Sequence, residues 1–366
     1  MDSQLTLLKQ ICSLPTAPFA ESAVIAFVKK FVAARKKLTL ESDAFGNQLI
    51  SLKSPSNLPR WVFTAHMDHP GFVAEKMLDA KTLRAHFRGW VKVEYVTGTK
   101  VRFFHGKKEI TGKVIDCQVE DYDARAVPSS VTIRISAAVP PGSVGMFDQG
   151  VGRIAGKKFR SRACDDLAGL AAALAMLDEL HAAKTPPPSP IAVLLTRAEE
   201  EGFIGCIATC ENKTLLRDTD RVIAIETSSE QPAAPQGAGV IIRVGDRASI
   251  FNSALTYFLN TQAEALAKAD KKFKSQRALM PGGVCEATVY DLWGHTAASL
   301  CVALGNYHNM DITKQKIAPE FIDVADWQNM VKLFVRLAQT GQDFDGTHSP
   351  LKARILGRYD RLKSLL

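Results

Sequence analysis

Ile191-Ala192-Val193-Leu194-Leu195 is an unbroken apolar run, and Glu199-Glu200-Glu201-Gly202 follows it after three intervening residues. Five consecutive apolar side chains leave no face for water. The run therefore predicts a strand buried on both sides, as in a parallel sheet covered by helices. Upstream, Ala168 to Leu180 is a strongly apolar helix, and the Pro-rich loop Thr185 to Pro190 completes the connection. Downstream, Gly202 to Cys210 fits a helix, Val222 to Ile225 a second buried strand, Asn252 to Ala269 a long helix and Ala297 to Leu304 a further strand. Glu320 to Ala338 reads as a helix with Phe321, Val324, Trp327, Val331 and Phe334 on one face. Strands and helices alternate, which is the pattern of an α/β domain.

The chain ahead of this region falls into two textures. Leu5, Leu8, Ile11 and Cys12 lie at helical spacing, Pro15 and Pro18 interrupt, and Val24 to Val32 is amphipathic. Asn47 to Leu52 and Trp61 to Thr64 are short β-rich runs expected to pair in one sheet. After Gly71 the segments Thr82 to Phe87, Lys100 to Phe104, Gly112 to Cys117 and Ser130 to Ser136 alternate between turn signals such as Pro140-Pro141-Gly142. They predict an all-β module inserted into the larger domain, because helical sequence lies on either side of it. From Ala74 to Arg160 there are 16 Lys and Arg against 9 Asp and Glu, whereas the rest of the chain holds 30 against 29. Nearly all of the +8 net charge belongs to the module. It reads as a solvated basic surface or as one that attracts acidic partners; no nucleic-acid motif accompanies it.

Of the 366 residues, 46% are hydrophobic and 23% charged, which excludes wholesale disorder and fibrous repeats. Seven cysteines form no CxxC pair, so neither a disulfide framework nor a cysteine zinc site is expected. The absence of a signal-like or membrane-spanning run points to a cytoplasmic protein with neither nucleic acid nor membrane as partner. The residues after Ser349 carry five Lys or Arg and one Asp, and read as a surface helix or a frayed end.

Polar groups that could do chemistry follow the buried strands or open a helix. His66-Met67-Asp68 follows Trp61 to Ala65, Asp165-Asp166 opens the apolar helix, and the three glutamates follow Ile191 to Leu195. Glu226 follows Val222 to Ile225, and His308 follows Ala297 to Leu304. The carboxyl ends of α/β strands line the ligand crevice. Imidazoles and carboxylates gathered there are costly to bury without a cation, and a mixed N/O donor set suits zinc or cobalt. Singly, each has a plainer reading: Asp-Asp as a helix cap, three glutamates as a solvated turn, Glu226 as a cap, His308 as a core histidine. His295 is a rival for any histidine role that pattern alone does not exclude.

In this order the segments resemble the glutamyl or deblocking aminopeptidases, the TET-type co-catalytic metallopeptidases. Ala65 to Phe72 is similar to that family's first metal segment, and Pro141 to Asp148 with Gly156 to Phe159 to its return from an inserted β-domain. Asp165 to Gly169, Glu199 to Gly202 with Gly205, Gly282-Gly283, and Tyr307-His308 complete the match. Four positions depart from the family pattern. His69 stands for Glu, Leu167 for Arg, and Glu226 for Asp. Glu286 is either the family's acid displaced by one position or a helix-start acid.

The resemblance implies an α/β fold: a phosphorylase/hydrolase-like three-layer sandwich, residues 1–72 and 161–366, with an inserted β-barrel-like domain, 73–160. It implies two divalent ions per subunit, zinc or cobalt, one held by His66, Asp165 and Glu226 and the other by Asp165, Glu200 and His308. Glu199 would be the general base, and Asp68 would receive the second N–H of His66. The peptide bond between Asp165 and Asp166 is cis in the family. The function implied is removal of N-terminal residues from peptide substrates by a homo-oligomer. The rivals are a metal-dependent deacylase or carboxypeptidase-like amidase, and a non-catalytic binding protein on the same fold.

Overall fold

A computed structural model describes residues 3–122 and 125–366. Its main sheet is built on four parallel strands, Ile191–Thr196, Trp61–His66, Arg221–Ser229 and Thr296–Gly305, side by side in that order. Gln48–Leu52 and Leu38–Ser42 extend it antiparallel beyond Ile191–Thr196. Glu320–Asp323, Lys158–Ser161 and Arg153–Ala155 extend it beyond Thr296–Gly305. Asn47 to Leu52 and Trp61 to Thr64 thus share a sheet but are not neighbours, because Ile191–Thr196 lies between them.

Period-two alternation sends successive side chains to opposite faces. Phe63, Ala65, Ile223 and Ile225 pack with the helices Leu167–Ala182, Ser253–Ala269 and Val324–Thr340. Val62, Leu194 and Val222 pack with Ile204–Asn212 and Glu286–Leu292. The result is helix, sheet, helix: a three-layer α/β sandwich. Leu167–Ala182 is apolar almost all round because it lies on the sheet with Ser3–Ile11 and Val324–Thr340 packed against it.

The helix expected over Glu320 to Ala338 begins only at Val324. The Asp323 side chain accepts the N–H groups of Ala325 and Asp326, an N-cap that starts the helix there and leaves Glu320–Asp323 free to pair as a strand. The strands Val240–Gly245 and Ser275–Leu279, a parallel pair beside Thr296–Gly305, are not apparent from pattern alone.

Between Gly71 and Phe147 six strands close into a barrel around Phe72, Phe87, Phe103 and Phe147. Closure pairs both edges of the strands within the barrel, while the outer hairpin segments Val119 to Tyr122 and Arg125 to Pro128 pair only with each other. The barrel meets the sandwich through the segment Arg88-Gly89-Trp90, where the Gly89 N–H donates to Glu201 Oε1 at 2.9 Å. After the barrel, Arg153–Ala155 and Lys158–Ser161 rejoin the main sheet. Ser349–Leu362 forms a helix with no buried residue, a surface helix.

Candidate metal centre

The parallel strands deliver His66, Glu226 and the Glu199–Glu201 turn to the same end of the sheet, the carboxyl end. Asp165 reaches that end from the loop before Leu167–Ala182, and its peptide bond to Asp166 is cis. His308 arrives on the turn after Thr296–Gly305, where Asn306, His308 and Asn309 all have left-handed backbone. Such a conformation is uncommon for non-glycine residues and is concentrated at functional sites.

One donor atom each from His66, Asp165 and Glu226 lie within 4.8 Å of one another, and so do one each from Asp165, Glu200 and His308. Asp165 belongs to both groups; a third, His66, Glu199 and Glu200, meets the same distance and includes the expected base. His66 Nε2 is 3.5 Å from Asp165 Oδ1, and His308 Nε2 is 3.0 Å from Glu200 Oε2 and 3.8 Å from Asp165 Oδ2. Glu199 Oε2 stands 3.8 Å from His66 Nε2. His295 lies apart, beside the Tyr290 ring, and belongs to neither group. Glu286 is also outside both; it accepts a 2.9 Å hydrogen bond from the Thr64 hydroxyl.

The surroundings hold the donors in place. Asp68 Oδ1 and Oδ2 accept the backbone N–H groups of Glu199 and Glu200 at 3.0 and 3.1 Å. The Asp68 carboxylate is 3.5 Å from His66 Nδ1, while the Asp68 carbonyl oxygen is nearer, at 3.2 Å. The expected imidazole contact is therefore shared between side chain and backbone, and the carboxylate chiefly ties down the glutamate turn. His308 Nδ1 sits 2.6 Å from the Trp90 carbonyl oxygen, which leaves Nε2 facing the cluster. The Tyr307 ring stacks on the His308 imidazole with centroids 3.7 Å apart.

Further residues act on the site; of these, only His69 stood out in the sequence, as a departure from the family pattern. Glu320 Oε2 accepts the N–H groups of Cys164 and Asp165 at 2.6 and 3.1 Å, anchoring the Asp165 loop. His69 places Nδ1 2.7 Å from the Asp165 carbonyl oxygen and Nε2 3.1 Å from Asn309 Oδ1. It thereby joins the two loops that supply the donors. Arg243, 3% exposed, lines the cavity of about 200 Å³ that contains His66, Asp165 and Glu226. Its Nη1 donates to Ser228 Oγ at 3.1 Å, and its buried Nε has no partner. An Arg in a strand whose neighbours are Val and Ile was the one signal available for Arg243; nothing marked Glu320.

The electrostatics are those of a site built around positive charge. Burial lifts the Glu199 carboxyl well above the ordinary range, opposed in part by His66. Burial pushes Glu226 up to about 8 despite Arg243 nearby. For His308 burial works the other way, yet Glu200 and Asp165 raise it to about 9. Asp165 Oδ1, Glu200 Oε1, Glu226 Oε1 and His308 Nε2 are buried without hydrogen-bond partners. Orphaned acceptors of this kind require a proton or a cation, so these residues fit divalent metal.

Fold and site together define a hydrolytic peptidase of the α/β class. The model of the M42 glutamyl aminopeptidase family matches residues 46–333, and the chain belongs to that family. Divalent metal use follows from that membership. Among solved structures, the TET aminopeptidase of a Thaumarchaeota archaeon is 17% identical over 94% of this chain and 100% of its own, with a TM-score of 0.78. The Pyrococcus horikoshii TET1 peptidase is 20% identical over 92% and 99%, with a TM-score of 0.74. An aminopeptidase of Desulfurococcus kamchatkensis is 20% identical over 92% and 94%, also at 0.74. At these identities the likeness is one of fold. No curated protein matches the chain.

Proposed function

We propose that the chain removes N-terminal residues from peptides at a site of two divalent ions, zinc or cobalt. The observation that carries this reading is the pair of donor triads sharing Asp165. His66 and Glu226 would complete one ion's ligands, and Glu200 and His308 the other's. When bound, such ions polarise a scissile carbonyl and make water acidic enough to attack near neutral pH.

The remaining steps belong to the chain's own residues. Glu199, beside His66 but held in place by Asp68, accepts the proton released by the attacking water and returns it to the leaving amine. Asp68 and the Trp90 carbonyl keep the donors oriented. Arg243 supplies a buried cation beside the reacting centre. With a neutral hydroxyl as its hydrogen-bond acceptor, it favours a substrate whose N-terminal side chain is acidic, in keeping with a glutamyl aminopeptidase family.

We further propose that 73–160 is a unit inserted into 1–72 and 161–366, that the protein is cytoplasmic and that it forms a homo-oligomer. The Pyrococcus horikoshii TET1 peptidase assembles into a tetrahedron or an octahedral shell. Metal analysis together with a screen of free-amine and N-blocked peptides tests the main reading. Two ions per chain with turnover of free-amine peptides alone is the expected result. Turnover of N-blocked substrates instead would make it a deacylase.

A further inference from the structure

The helix Ser349–Leu362 lies beyond the family match, and none of its residues is buried. At about 100° per residue, Leu351, Ile355, Tyr359 and Leu362 fall within an arc of roughly 80°. Ile355 is 60% exposed, Tyr359 52% and Leu362 45%. Arg354, Arg358 and Arg361 border that arc on one side; on the other, Lys352 is followed by Leu356, 45% exposed, which widens the apolar face to about 140°. Asp360, the only acid in the helix, lies beyond Leu356, with Ala353 and Gly357 behind. Leu365 and Leu366, just beyond, are more exposed still.

We infer that this helix docks the protein onto an anionic lipid surface. An apolar face with a row of arginines along one edge and a lysine stem within it, backed by small or polar residues, is the arrangement of a helix lying in a membrane interface. The aliphatic side chains enter the acyl boundary, and the Arg and Lys stems reach up to the phosphates. A second copy of the chain is a poorer occupant. The arginine edge would face like charge, on a chain that already carries a charge of +8.

The helix also sits where docking leaves the catalytic site open. His348, at its start, packs against the Tyr257 ring with centroids 5.1 Å apart. The preceding turn accepts hydrogen bonds from Arg221 at the Gly341 carbonyl and at Asp345. Arg221 begins its strand and pairs with Trp61, which begins the adjacent one. The helix thus springs from the amino ends of the parallel strands, whereas His66 and Glu226 lie toward their carboxyl ends. About 3.3 Å per residue over the strand Trp61–His66 separates the two ends. This surface adds a membrane partner that sequence composition did not suggest.

The test is flotation of the full-length protein with phosphatidylcholine vesicles, with and without about one-third phosphatidylglycerol. Binding to the anionic vesicles, weak binding to the neutral ones and release by high salt are expected. The double substitution Ile355→Asn and Leu362→Asn should abolish binding, and Arg354→Ser or Arg358→Ser should each weaken it about fivefold. Peptidase activity in solution should be unchanged in all of them, which separates this test from that of the catalytic reading. Equal binding by the Ile355→Asn/Leu362→Asn variant, or no binding by the parent protein, overturns the inference. So does a smaller oligomer in light scattering of that variant, which would assign the helix to a second copy.

Discussion

The Asp68 carboxylate receives the backbone N–H of Glu199 on one oxygen and that of Glu200 on the other. One buried acid thus sets the turn that carries both the proposed base and a proposed metal ligand. Asp68→Asn would keep the size but turn an NH₂ group toward one of the two donors. Metal affinity and kcat should each fall about 10- to 100-fold, measured by equilibrium dialysis and steady-state assay. A variant with full metal affinity and normal kcat would show that the turn holds without it.

The three glutamates separate by environment. Glu199 lies against His66, Glu200 against His308, and Glu201 turns away to the Gly89 N–H. Glu199→Gln should lower kcat by about 10²–10⁴ with metal content intact. Glu200→Gln should reduce bound metal, and Glu201→Gln should be mild because an amide oxygen still accepts from Gly89. Metal stoichiometry and kcat on all three variants decide the register. Loss of turnover in Glu201→Gln with metals retained would contradict it.

Much of this was legible in sequence for a physical reason. Strands buried on both faces, such as Ile191–Thr196, read as continuous apolar runs, and acids placed at their ends stand out against them. Other residues were hidden because their roles depend on distant partners. Glu320 opens an apolar segment that reads as helix, and its role appears only once its strand pairs with Lys158–Ser161 and brings it to the Asp165 loop. Trp90 contributes a backbone carbonyl to His308, which no side-chain pattern can announce. By pattern alone His308 and His295 were rivals, and the family resemblance favoured His308; in the fold, of the two only His308 is near Asp165.

Arg243 is expected to set side-chain preference. Its partnerless Nε, buried in the cavity beside Glu226, is placed to meet a substrate carboxylate. Arg243→Met should lower kcat/KM for N-terminal Glu and Asp substrates about 10- to 100-fold, the worth of a charged hydrogen bond. Leu substrates should change only a few-fold. Equal losses on both, accompanied by loss of metal, would mean that Arg243 serves Glu226 rather than substrate.

The last prediction concerns pH. His308 is raised to about 9 and Glu226 to about 8 in the metal-free protein. A group with a raised folded-state pKa holds its proton more tightly when folded, so protonation favours folding. Its contribution is complete below the unfolded pKa and is lost as pH climbs through the folded one. For Glu226 that loss runs from the ordinary 4.5 up to about 8, and for His308 from 6.5 up to about 9. The metal-free protein should therefore weaken as pH rises through this window. Metal competes with protons for the same atoms, so its affinity should rise about tenfold per pH unit for each proton displaced. The gain in Tm on adding zinc to chelator-treated protein should accordingly be larger at pH ~8.5 than at pH ~6. A gain that is flat or shrinks over that range would mean that the ion sits elsewhere than on Glu226 and His308.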